Sequence, residues 1–308
     1  MDDAPPIRLT GLTKRFGGLT AVDGVDLAIG AGEVVALLGQ NGAGKTTTID
    51  LALGLAAATS GTAELFGGVP RRAVVDGRVG AMLQGGALLP TTTVRESVAL
   101  VAAAHRHPLP VEEALERAGV ADIAKQKVGK LSGGQLQRAR FAVAIVSDPD
   151  LLILDEPTAA MDVEARRSFW GSMRDLTASG RTVVFATHYL DEADAYADRV
   201  VMMRRGRVVA DGTPSEVKSI VSGRTVAFTT ADVDAGLPGW LRALPGVRAV
   251  EARGGRFRVA TDAPDTTLRA VLAARPDAHD IEVVARSMDD AFLALTTDPT
   301  TEAEEALR

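Results

Sequence analysis

Cysteine is missing from all 308 residues. Its absence excludes disulfides and cysteine-ligated metals and matches a reducing compartment. Histidine is scarce: the four residues are scattered and show no metal-ligand spacing. His105 and His107, beside Pro108, read as solvated. Nowhere is there a run of about 18 apolar residues, the length a membrane-spanning helix needs. The start, Met1-Asp2-Asp3-Ala4-Pro5-Pro6, has neither the basic stretch nor the apolar stretch of a secretory signal. The expectation is therefore a cytosolic protein that meets any membrane through a partner. A dominant charge sign is also lacking. The net charge is −6, from 34 basic and 40 acidic residues, interspersed, which argues against a nucleic-acid-binding surface. The length allows one large domain or two smaller ones.

Glycine is present where it matters. Gly39-Gln40-Asn41-Gly42-Ala43-Gly44-Lys45-Thr46 fits G-x-x-x-x-G-K-[ST], and Thr47 follows it. The apolar run Glu33-Val34-Val35-Ala36-Leu37-Leu38 precedes it and reads as a buried strand. Thr47-Thr48-Ile49-Asp50-Leu51-Ala52-Leu53 follows with the apolar spacing of a helix start. A strand, a glycine loop and a helix N-terminus aim backbone N–H groups into one concavity that suits phosphate. Gly42 and Gly44 let that backbone turn without a Cβ in the way. Lys45 supplies a point charge for the β- and γ-phosphates, and the Thr46 hydroxyl can ligate Mg2+. A chance glycine-rich turn would lack this strand and helix context.

Leu151-Leu152-Ile153-Leu154-Asp155-Glu156 reads as a buried parallel strand delivering two acids at its C-terminal end. Asp155 would hold Mg2+, and Glu156 would orient and polarise the attacking water. One acid on the metal side and one on the water side suffice, because phosphoryl transfer mostly needs positioning and charge neutralisation. Leu131-Ser132-Gly133-Gly134-Gln135 opens a further helix, and its simplest reading is a serine N-cap.

The pentapeptide also matches in full the signature motif of the nucleotide-binding subunits of ABC transporters, which the chain resembles. That resemblance implies a site shared across a homodimer. Ser132, Gly133, Gly134 and Gln135 of one copy would face the γ-phosphate held by the other. It further assigns Gln84, in Ala81-Met82-Leu83-Gln84, to the glutamine that senses Mg2+ and the water. His188, after Phe185-Ala186-Thr187, matches the switch histidine at the γ-phosphate. Asp162, in Ala160-Met161-Asp162, matches the acid reaching across the dimer. Phe16, in Lys14-Arg15-Phe16-Gly17, matches the aromatic that stacks on adenine. The family more often has Tyr there, but Phe keeps the π-face. Core packing is the competing reading for Phe16. No landmark of a hydrolysing site is missing, so the resemblance implies an active ATPase that uses ATP and Mg2+.

The expected fold class is α/β, a P-loop NTPase core of the ABC ATPase type, with a small C-terminal α+β, ferredoxin-like module. The ATPase domain should run over residues 5–218, followed by a linker at 219–224, the accessory domain at 225–297 and a charged tail at 298–308. Ile7-Arg8-Leu9-Thr10 and Val25-Asp26-Leu27-Ala28-Ile29 alternate as a strand pair. A helical insert is expected from Thr93 to Lys130 and a hairpin from Val200 to Gly212, turning at Arg205-Gly206. In the C-terminal part, strands are expected at Arg224 to Thr230, Val247 to Ala252, Arg256 to Thr261 and Ile281 to Arg286. Helices are expected at Pro238 to Leu244 and Pro264 to Ala274, giving the order βαββαβ. A last helix opens with Ser287 as N-cap.

The ending Ser287-Met288-Asp289-Asp290-Ala291-Phe292-Leu293-Ala294-Leu295-Thr296 resembles that of the ATPase subunits of daunorubicin-resistance-type exporters. Those subunits pair with a separate six-helix permease, which would dock near Gln84 to Pro90 and on the helical insert. The resemblance thus implies a peripheral protein on the cytoplasmic face of the membrane, exporting a drug, antibiotic or lipid-like molecule. An importer subunit is the alternative within transport, and a soluble assembly ATPase of the iron–sulfur scaffold type is the alternative outside it. Too short a stretch separates Lys45 from Leu131 for the coiled coil of a DNA-repair ATPase.

Overall fold

The computed structural model describes residues 4–85, 88–220, 224–231, 236–285 and 288–296. Gly86 and Ala87 of the expected docking stretch, residues 221–223 of the expected linker, Ser287 with its expected N-cap, and the tail lie outside them. The chain divides into two compact units, Met1–Thr213 and Pro214–Arg308. The helix Pro214–Ile220 straddles the domain end expected at residue 218 and falls with the second unit.

In the first unit, β3 (Val34–Leu38), β5 (Val79–Met82), β6 (Leu151–Asp155), β7 (Thr182–Thr187), β8 (Arg199–Arg204) and β9 (Arg207–Gly212) form one sheet in the order β5-β6-β7-β3-β8-β9. All its pairings are parallel except the β8–β9 hairpin. Every residue of β3, β6 and β7 is buried. That is the signature of a sheet covered on both faces, and it explains the uninterrupted apolar runs. The register decides the site: Leu38 stands beside Thr187, and Asp155 beside Ala186. The residues that follow β3, β6 and β7 therefore leave one edge of the sheet together.

A second, antiparallel sheet joins β1 (Ile7–Phe16), β2 (Leu19–Ile29) and β4 (Ser60–Leu65) in the order β2-β1-β4. Its buried side chains, Leu9, Leu12, Val25 and Ile29 among them, share one core with Ile49 of α1 (Lys45–Ala52) and with Leu37, Ile153 and Val184 of the parallel sheet. Helix α1 is thereby pinned between the two sheets. After α2 (Pro70–Val75) comes the insert, with α3 (Val94–Ala102), α4 (Val111–Arg117) and a single 3-10 turn at Val128–Lys130. Thr93 and Glu96 close a capping box that starts α3, and Arg95 pairs with Glu112 to tie α3 to α4.

Beyond the insert, α5 (Gly133–Ile145), α6 (Val163–Ala178) and α7 (Leu190–Tyr196) are joined by aromatic contacts. The Phe141 ring lies 4.9 Å from Phe169, and Trp170 lies 4.7 Å from Phe185 and 4.5 Å from Tyr196. Trp170 is 1% exposed. A ring buried to that degree costs about 3–5 kcal/mol on truncation to alanine. Among the described residues no helix is long and apolar enough to cross a membrane.

The second unit opens with α8 (Pro214–Ile220). Then follow β10 (Arg224–Thr229), α9 (Leu237–Arg242), β11 (Val247–Arg253), β12 (Arg256–Thr261), α10 (Pro264–Ala274), β13 (His279–Ala285) and α11 (Met288–Thr296). The sheet order is β11-β12-β10-β13, antiparallel throughout. This is the ferredoxin-like arrangement expected from the βαββαβ order. Val226, Phe228, Phe257 and Val259 pack on Leu237 and Leu241 of α9 and Val271 of α10.

Candidate functional site

The loop from Gly39 to Gly44 leaves β3 and enters α1, and two of its glycines are sterically required. A Cβ on Gly44, at φ +104°, would lie 2.4 Å from the Ala21 carbonyl oxygen. One on Gly39 would lie 2.6 Å from the Met203 carbonyl oxygen. The loop frames a cavity of about 740 Å3, lined by Phe16, Gln40, Asn41, Gly42, Ala43, Gly44, Lys45, Thr46, Thr47, Gln84, Asp155 and Glu156. Lys45 is 6% exposed and its ammonium donates to the Gly39 carbonyl at 2.6 Å. Burial lowers the Lys45 pKa, while Glu156 and Asp155 act in the opposite sense.

Asp155 is 2% exposed. Its Oδ2 accepts a hydrogen bond from the Thr46 hydroxyl at 2.8 Å, and its Oδ1 is buried without a hydrogen-bond partner. Burial raises its pKa, against the Thr46 bond, with Glu156 adding to the rise. A buried carboxylate oxygen with no donor is costly unless something fills the gap. An all-oxygen donor set of a carboxylate, a hydroxyl and the Gln84 amide suits a hard divalent cation of the Mg2+ type.

Glu156 takes a left-handed conformation, φ +50°, unusual for a residue with a side chain. Its N–H donates to the Ala186 carbonyl at 2.9 Å, and its Oε2 lies 2.8 Å from His188 Nδ1. Strain of this kind costs on the order of 1–3 kcal/mol and persists where the surroundings dictate it, which is typical of working sites. His188 reaches the cavity through this contact. Phe16 is 53% exposed at the cavity mouth, with Lys14 Nζ 4.9 Å from its ring centre. The core-packing alternative for Phe16 is thereby removed.

The remaining predicted residues stand elsewhere. Ser132 is the N-cap of α5, in a capping box with Gln135. Asp162 caps α6, its side chain accepting from Ala165 N–H at 2.8 Å. Neither these residues nor Gly133 and Gly134 line the cavity. Gly133 has an intrachain reason to lack a side chain: a Cβ there would lie 2.9 Å from that of Ala160. That contact presses the start of α5 against the segment leading to Asp162.

Sequence reasoning missed Leu19, Thr20, Ala21 and Arg205, which also line the cavity. Arg205 and Gly206 form the β8–β9 turn, with φ +49° and +79°. Gly206 N–H donates to the Ala43 carbonyl at 2.9 Å, and its carbonyl accepts from Asp23 N–H at 2.9 Å. The hairpin tip is thus locked to both the phosphate loop and β2. Only the turn at Arg205-Gly206 itself was visible in the sequence.

Comparison with known proteins bears on this geometry. The ABC transporter domain family matches residues 22–159. The chain is 42% identical over 217 residues to a Nod factor export ATP-binding protein I of Burkholderia lata, covering 68% of this chain and 71% of that one. It is 35% identical to the daunorubicin resistance ATP-binding protein DrrA2 of Streptomyces coeruleorubidus over 99% of both chains. A solved dimeric ATP-binding cassette in a post-hydrolysis state with ADP and Pi matches with a TM-score of 0.61 and 26% identity. It covers 67% of this chain and 98% of that one.

Proposed function

The chain belongs to the ABC transporter family, as an ATP-binding and ATP-hydrolysing subunit, and on that premise we propose that it powers an exporter. The observation that carries the export reading is the likeness, over 99% of both chains, to a protein named for daunorubicin resistance. That likeness extends through the ferredoxin-like unit. The transported molecule is proposed to be a drug, antibiotic or lipid-like compound. The subunit works as a homodimer at the cytoplasmic face of a membrane, beside a separate, six-helix permease. The permease docks near Gln84 to Pro90 and the helical insert.

In this mechanism ATP fills the cavity with its adenine on Phe16 and its phosphates in the loop from Gly39 to Thr47. Lys45 exchanges its carbonyl partners for phosphate oxygens, a stronger charge-assisted pairing. Thr46, Asp155 and Gln84 would hold Mg2+, which would supply charge neutralisation for the phosphates. Glu156 orients the attacking water, and His188 holds Glu156 and contacts the γ-phosphate. Ser132, Gly133, Gly134, Gln135 and Asp162 act on the nucleotide of the other copy, in keeping with their place outside their own chain's cavity. ATP favours the closed dimer because it binds that state better than the open one, and only this difference can move the permease.

The test is a membrane pull-down with tagged Glu156→Gln, loaded with Mg-ATP to hold the closed dimer. One co-purifying six-helix membrane protein supports the exporter reading. A periplasmic binding protein alongside it would favour import, and a soluble scaffold would favour an assembly ATPase.

A further inference from the structure

Behind the site lies a carboxylate that the mechanism above does not use. Glu192, on α7, is 1% exposed. Its Oε1 accepts from the Thr158 hydroxyl at 2.6 Å and its Oε2 from the Thr187 hydroxyl at 3.1 Å. Arg166 Nε lies 3.4 Å from Oε1. Thr158 and Thr187 are 1% and 0% exposed.

The attachment points are the ends of the Glu156–His188 contact. Thr158 is two residues after Glu156. Thr187 immediately precedes His188, and its hydroxyl oxygen also accepts from the Tyr189 N–H at 3.0 Å. The relay from Tyr189 N–H through Thr187 to Glu192 thus brackets His188 on both sides. Arg166 adds a third segment. It lies one turn into α6, its N–H donating to the Asp162 carbonyl at 3.0 Å, and its guanidinium sits 4.2 Å from the Tyr189 ring centre. The Tyr189 ring is in turn 4.2 Å from that of His188.

We propose that Glu192 is a positioning residue for ATP hydrolysis, a buried clamp that fixes the backbone on both sides of the Glu156–His188 pair and couples it to the start of α6. Desolvating a carboxylate is expensive, and an apolar core would be at least as stable. A carboxyl group buried at this place, tied to Thr158, Thr187 and Arg166, therefore serves geometry. The proposal rests on the reading that Glu156 and His188 carry hydrolysis.

The test measures single-turnover hydrolysis and fluorescent-nucleotide affinity for Glu192→Ala, Glu192→Gln and Thr187→Val in the full chain. Glu192→Ala should lower kcat by about 10–100-fold, since small misplacements of reacting groups cost that much, with nucleotide Kd held within about twofold. Glu192→Gln, which keeps an acceptor, should recover part of the rate. Thr187→Val, nearly isosteric, should lower kcat several-fold and carries the test if Glu192→Ala does not fold. Added to Glu156→Gln, Glu192→Ala should cause no further loss, because both act through one group. Parental kcat in Glu192→Ala or Thr187→Val, equal losses in kcat and affinity, or additive losses with Glu156→Gln would overturn the clamp alone. Parental turnover by Glu156→Gln would instead overturn the underlying site reading.

Discussion

His188 Nδ1 stands 2.8 Å from Glu156 Oε2, and the pair joins the ends of two adjacent parallel strands. The side chains differ in setting: His188 is 49% exposed and Glu156 12%. The imidazole therefore fronts the solvent while the carboxylate looks inward over the phosphate loop.

Gly44→Ala should abolish nucleotide binding and destabilise the first unit. The new Cβ meets a backbone oxygen at 2.4 Å, which no rotamer relieves, and φ +104° adds left-handed strain of about 1–2 kcal/mol. Calorimetric titration with ATP and a thermal melt would check it. Gly42→Ala, which also carries left-handed strain at φ +83° but has open space around its Cβ, should be less destabilising and retain more binding than Gly44→Ala.

Lys45 gives nucleotide binding a pH dependence. Burial sets its pKa below the ordinary 10.5 in the empty site, and bound phosphate raises it again. The bound state therefore holds its proton to higher pH than the free state. By linkage, ATP affinity is full below the empty-site pKa and falls as pH rises through it. Titrations at increasing alkaline pH should show that decline, and Lys45→Met should bind weakly with the decline removed.

Thr46→Val removes the hydroxyl that both bonds Asp155 and completes the oxygen donor set. The Mg2+ concentration needed for half-maximal turnover should rise by about 10–100-fold, as for other groups that hold a metal or its ligands. A Mg2+ titration at saturating ATP measures it. Folding should persist, with a small loss of stability.

Phe16→Ala should weaken ATP binding by about 1–3 kcal/mol, the usual worth of an aromatic stacked on a base. The melting temperature should stay close to the parent, because the ring is half exposed. Phe16→Tyr should bind as the parent does. If Phe16→Ala leaves ATP affinity intact, the ring does not stack on adenine.

The strands and glycine loop were legible because their signals are local. An apolar run of strand length, then glycines, then a helix start, can be read without knowing the neighbours. The βαββαβ order of the second unit was legible for the same reason, with Gly254 and Gly255 marking a turn at φ +56° and +84°. What stayed hidden depends on distant segments meeting. Nothing in Asp191-Glu192-Ala193-Asp194 separates the buried Glu192 from the exposed Asp191 and Asp194, since its partners come from β7, α6 and the loop after β6. Arg205 read as a hairpin tip, and its place in the cavity wall follows only from the lock between Gly206 and Ala43. The left-handed Glu156 was likewise invisible, because its strain is imposed by the adjacent strand through Ala186.

The lock at Gly206 bears on how the protein is made. The phosphate loop is synthesised early, but one wall of its pocket arrives with the β8–β9 turn, near the end of the first unit. A Cβ there would sit 2.8 Å from the Ala21 oxygen, so the hairpin tip fits against the loop's neighbour closely. A nascent chain emerging from the ribosome N-terminus first therefore carries the phosphate loop before β7 and β8, the strands that flank β3, have been made. A nucleotide that binds the assembled cavity stabilises the finished unit by mass action, and its cavity takes lining residues from as late in the unit as Arg205.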